Sequence, residues 1–159
     1  MKYSIRLNLA FLLLCVIIDA LVMSFFPVDY TFTRYQFTAG ISVMFLTLII
    51  LEDDLQSVII YTLSLGILQD IMTFRGIGIH TLSLLATALF LYYWSKRLSQ
   101  TLLEVVLMLM MALFFNGVVT YGLAWFQGLV TYSFIIYVSR VLFFTVVVNL
   151  LFAFIVFWL

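Results

Sequence analysis

Charge is so sparse in this chain that the few charged residues act as punctuation. The 159 residues include seven Lys or Arg and seven Asp or Glu, and most of these fall between long apolar stretches. A helix needs about 20 apolar residues to span a bilayer, fewer when it is tilted or enclosed in a bundle. Six stretches meet that length: residues 7–26, 37–51, 55–73, 77–94, 102–126 and 132–159. The second is the shortest.

Composition agrees with lipid as the main solvent. Hydrophobic residues make up 67% of the chain and charged residues 9%, against about a quarter charged in a soluble domain. The mean hydropathy is +1.29. The connections are too short to carry a folded extramembrane domain. The expected architecture is therefore an all-α integral membrane protein, a single domain over 1–159 built as a compact bundle of about six transmembrane helices.

The basic residues suggest an orientation, because cytoplasmic loops carry the excess of Lys and Arg. With the N-terminus inside, Lys2, Arg6, Lys96 and Arg97 are cytoplasmic, and Arg34 and Arg75 are outside. Both termini are then cytoplasmic. Tyr92, Tyr93, Trp94 and Trp158 fall at the inner boundary, and Tyr30, Tyr35, Trp125 and Tyr132 at the outer one. The apolar stretch 7–26 lacks a small-residue cleavage pattern and reads as a retained first span rather than a signal peptide. Zero formal net charge leaves no basic field to hold nucleic acid.

Polar residues inside the spans are costly and mark sites to inspect. In the third span Thr62, Gly66, Gln69, Asp70 and Thr73 share one helix face, which therefore turns toward protein. That protein is either the rest of the monomer or a partner. Asp19 and Arg140 lie at similar depths, roughly 10 and 12 Å below the outer boundary at 1.5 Å per residue. An Asp19 to Arg140 ion pair is the expectation, with Asp70 as the competing partner for Arg140. Ser133, Tyr137 and Arg140 share a face that can hydrogen-bond such a pair. Asn149 is on the opposite face and is expected to meet another helix. Asn116 and Thr120, flanked by Ala112 and Ala124, read as interhelical glue.

Chemistry finds little material. No Ser-His-Asp arrangement, HExxH, P-loop or GxGxxG occurs, so no enzyme activity and no cofactor are expected. His80 is the one histidine and has too few ligand-type neighbours in sequence for a metal site; it is expected to meet a helix start or Asp70. Cys15 lies in an apolar run and reads as a small hydrophobe. Arg75 can snorkel toward lipid phosphate. The Glu52-Asp53-Asp54 cluster reads as an inner solvated loop, with contact to a cytosolic partner as the lesser alternative.

The stretch 66–85, GILQDIMTFRGIGIHTLSLL, interrupts the apolar pattern most densely. Its Gly66-x-x-x-Asp70, a short turn, and Gly78-x-His80-x-Leu82-Ser83-Leu84 resemble the rod shape-determining protein MreD family of bacteria. The specific motif covers about twenty residues, while length and topology are similar over the whole chain. The turn departs from the family's Gly-, Ser- and Pro-rich pattern, reading Thr73-Phe74-Arg75-Gly76. The resemblance implies a non-enzymatic scaffold of the cell-elongation complex in the bacterial plasma membrane. Implied partners are an MreC-like single-span protein, a RodA-type synthase with its class B penicillin-binding protein, the actin-like MreB on the cytoplasmic side, and membrane lipid. Gly66, Gln69, Asp70, Arg75, Gly78 and His80 form the candidate contact cluster. The alternative is the substrate-binding subunit of an energy-coupling-factor vitamin transporter, with Asp19, Asp70, His80, Asn116 and Arg140 lining an outward pocket. The Ala-x-x-x-Ala signature expected in its first helix is absent.

Overall fold

The computed structural model describes residues 5–26, 35–73, 78–97 and 101–158. Regular structure among them is helical: α1 (Ile5–Phe25), α2 (Ile41–Glu52), α3 (Leu55–Thr73), α4 (Ile79–Ser95), α5 (Leu102–Phe126), α6 (Phe134–Tyr137) and α7 (Phe143–Trp158). A π-helical turn, Val138–Leu142, joins α6 to α7 without a break. Among the described residues these helices make six rods.

Four stretches are long and apolar enough to cross a membrane, as in a multi-pass membrane protein: Leu7–Phe25, Leu55–Thr73, Leu102–Phe126 and Phe134–Phe154. Their outward faces keep large apolar side chains exposed; on α1, Leu14, Ile17 and Leu21 are 53–56% exposed. Lipid is the solvent that accepts such a surface.

α2 differs. It has 12 residues, about 18 Å of helix, and starts four residues later than the apolar pattern predicts because residues 35–40 are not helical. Seven of its residues are buried, Ser42 and Thr47 among them. It is the enclosed centre of the bundle, packed against α1, α3, α4 and α5. Leu12, Val16, Leu46, Ile50, Tyr61, Leu65, Leu84, Leu91 and Leu109 fill the core around it. Phe90 stacks on Phe115 at 4.6 Å to tie α4 to α5.

A non-helical segment among apolar helices must have its backbone groups satisfied by protein. The last rod does most of this. Gln36 N donates to Arg140 O at 2.9 Å and Thr38 N to Thr145 Oγ1 at 3.0 Å. Asn149 of the same rod adds two more, with Nδ2 donating to Thr38 O at 2.8 Å and Oδ1 accepting from Gly40 N at 2.8 Å, while Ala39 N donates to Met23 Sδ of α1 at 3.3 Å. Asn149 thus meets the entry to another helix, in line with its expected role.

Candidate functional site

Two helices begin on a glycine. A helix start leaves its first N–H groups without intrahelical partners, and a Gly N-cap has no side chain to accept from them. Gly40 and Gly78 occupy those positions for α2 and α4. In both cases a carboxylate from the preceding helix takes the place of the missing cap.

At α4, Asp70 accepts from His80 N at 2.8 Å, Thr81 N at 3.2 Å and Thr81 Oγ1 at 2.6 Å. His80 and Thr81 are the second and third residues of the helix, the ones an ordinary N-cap side chain would bind. Gly78 turns at φ +84°, a left-handed conformation that favours glycine. The close approach needed for this contact depends on Gly66, where an added Cβ would run into Thr81 Cα. Gly66, Asp70, Gly78 and His80 therefore form one device that folds α3 tightly onto α4. The backbone N–H of His80 meets Asp70.

At α2, Asp19 accepts from Ile41 N and Ser42 N, both at 2.9 Å. The carboxylate is 7% exposed and sits at the positive end of the α2 dipole. The expected partner was Arg140; the contacts seen at the Asp19 carboxylate are with the start of α2, where two N–H groups aimed at it satisfy it without burying a second charge. Gln69 adds a cross-tie, donating from Nε2 to Ser42 Oγ at 3.1 Å. The polar face of α3 is thus turned into the monomer, toward α2 and α4.

The last rod also departs from its sequence reading. The π turn inserts a residue per turn, so face counts made at 100° per residue fail across it. Tyr137 OH donates to Gly117 O at 3.2 Å instead of joining an Asp19 pair. Arg140 is half-buried in that turn. Arg75 lies outside the described residues, so its place in the cluster is not described. Asn116 and Thr120 do not act as glue among the described residues: Asn116 Oδ1 and Thr120 Oγ1 are buried without a hydrogen-bond partner.

The helices that start at the opposite end are capped locally. Thr101 and Glu104 form a reciprocal capping box at α5, with Thr101 N donating to Glu104 Oε2 at 2.9 Å. Asp54 precedes α3 and accepts from Ser57 Oγ at 2.8 Å, which holds its carboxyl below the ordinary value. Asn8 Nδ2 donates to Asp53 Oδ2 at 3.3 Å. The acidic cluster thus has structural work in two of its three residues. Thr101-x-x-Glu104 fits the capping-box pattern, a local signal absent from the sequence-based expectations, whereas the two distant caps have no local signal.

No protein-family profile, curated protein or solved structure matches this chain. Among the described residues, no group of three His, Cys, Asp or Glu side chains could hold a metal ion.

Proposed function

We propose that the chain is a non-enzymatic scaffold of the bacterial cell-elongation complex, of the kind its resemblance to the MreD family implies. In this reading all six rods lie in the plasma membrane with both termini cytoplasmic. The scaffold binds an MreC-like single-span protein and helps to position a RodA-type synthase and its class B penicillin-binding protein, with MreB linked from the cytoplasm.

The observation that carries the reading is the convergence of the resembling residues. Gly66, Asp70, Gly78 and His80 come from both sides of a short turn and act on one another, Asp70 capping the helix that Gly78 begins. A motif that shapes a turn so firmly fits a protein whose working surface is that turn. Two further features agree: the short connections leave partners only helix faces and loops to grip, and the polar groups of α3 are used internally. The partner contact then falls on the turn, with Arg75, and on the apolar outward face of α3, where Ile67 and Ile71 are exposed.

The test is gentle purification from the native host through a C-terminal tag, comparing wild type with Asp70→Ala and His80→Ala at equal membrane abundance. Recovery of a single-span MreC-like protein with wall synthases, reduced in the variants, is the expected result. Recovery of paired ATPases and a coupling membrane protein instead would overturn the scaffold reading in favour of a transporter subunit.

A further inference from the structure

A cavity of about 600 Å³ lies at the end of the bundle where α2 and α4 begin. Its walls are the second half of α1, residues 38–43, the last turn of α3, His80, the middle of α5, and Tyr137. That volume is within the range of small-molecule sites, roughly 300–1,000 Å³. Its chemistry is uneven.

One wall is apolar, with Val16, Met23, Val43 and Met72. The other is the polar strip of α5, where Asn116 Oδ1 and Thr120 Oγ1 are buried without partners among the described residues. Buried polar atoms in folded proteins are nearly always hydrogen-bonded, so each such exception calls for an explanation. Thr120 had an easy alternative. Thr47, Thr62, Thr73 and Thr87 each donate to the carbonyl four residues back, at 2.7–2.8 Å. Thr120 sits in a helix as they do, yet it is without that bond.

Hydrogen-bonding capacity narrows the occupant further. Asp19 and His80 line the cavity along with Ser and Thr hydroxyls. The lining is rich in acceptors, its Tyr137 hydroxyl already donates to Gly117 O, and its Gln69 amide to Ser42. We propose that this cavity binds a compact amphiphile that carries hydroxyl or ammonium donors. Its donors meet Asn116 Oδ1 and Thr120 Oγ1, and its apolar part lies along Met23 and Met72. The donor group can belong to a neutral membrane lipid or to a water-soluble polyol or amine. The inference stands apart from the scaffold reading, since it rests on the cavity and not on the turn.

The experiment uses the full chain in phosphatidylcholine nanodiscs, a lipid whose headgroup has no hydrogen-bond donor. Thermal unfolding is followed with monooleoylglycerol added to the bilayer, with glucose or ethanolamine added to the buffer, and with oleate as the anionic control. The expected result is a rise of several degrees with a donor-bearing probe and none with oleate. A rise with monooleoylglycerol alone assigns a lipid; a rise with glucose or ethanolamine assigns a soluble ligand. The double variant Asn116→Leu/Thr120→Val is expected to unfold at or above the wild-type temperature without probe, because it removes unpartnered polar atoms, and to need at least tenfold more probe for the same rise. Should the double variant fail to fold, the isosteric Thr120→Val alone gives the same readout. No rise with any donor probe, an equal rise with oleate, or an undiminished rise in the variants overturns the proposal.

Discussion

The two ends of this bundle start their helices differently. At one end α3 and α5 begin with caps written into adjacent sequence, Asp54 with Ser57 and Thr101 with Glu104. At the other, α2 and α4 begin on bare glycines and take their acceptors from Asp19 and Asp70 of the helix before. A local cap suffices where water is near to satisfy the remaining N–H groups. Where apolar side chains surround the helix start, an imported carboxylate satisfies several donors at once and also fixes two helices together. The pair differs within itself as well. Half-buried Asp70 serves a helix start ten residues on, whereas Asp19 serves a helix 22 residues away, deep in the core, with Asn149 holding the residue before it.

This contrast sets an order of effects. Gly66→Leu should do most damage, because the side chain has no space against the α4 backbone; a loss of about 3 kcal/mol is expected, read as early unfolding in detergent. Asp19→Ala should follow at about 2–3 kcal/mol, since two buried N–H groups lose their acceptor, and Asp19→Asn should recover part of that loss. Asp70→Ala should cost about 1–2 kcal/mol, close to an ordinary lost N-cap, because its site is partly exposed. Thr101→Ala should cost about 0.5 kcal/mol. If Thr101→Ala proves as damaging as Asp19→Ala, the contrast between the ends is lost.

Acid provides the smallest and most selective probe. Asp54 is held below its ordinary value of 3.8 by the Ser57 hydrogen bond, so its contribution is present above that value and fades as pH falls through the lowered one. Ser57→Ala should therefore reduce stability slightly at neutral pH and leave it unchanged at the acid end. Chemical denaturation at a series of pH values checks the sign.

Much of the fold was legible because it rests on length and periodicity. The stretches 55–73 and 102–126 coincide with α3 and α5, and the α3 polar face, with Gly66 as a close-approach residue, behaves as its pattern implies. Asp70 and His80 were legible as neighbours because only a short turn separates them. The late start of α2 was not, since the apolar pattern runs on through residues 37–40 while Asn149 and Thr145, more than 100 residues away, hold the backbone of Thr38 and Gly40. The cap that Asp19 gives α2 was hidden for a related reason. Matching depth is a one-dimensional criterion, and a helix start is a cation-like partner that no single residue announces.

The most direct test of the account is a double-mutant cycle on Asp19 and Arg140, measured as unfolding free energy in detergent. If Asp19 caps α2, Asp19→Ala and Arg140→Ala add to within about 0.5 kcal/mol, and Asp19→Asn is milder than Asp19→Ala whichever residue stands at 140. A coupling well above 1 kcal/mol, with Asp19→Asn as harmful as Asp19→Ala, would restore the ion pair and contradict the cap.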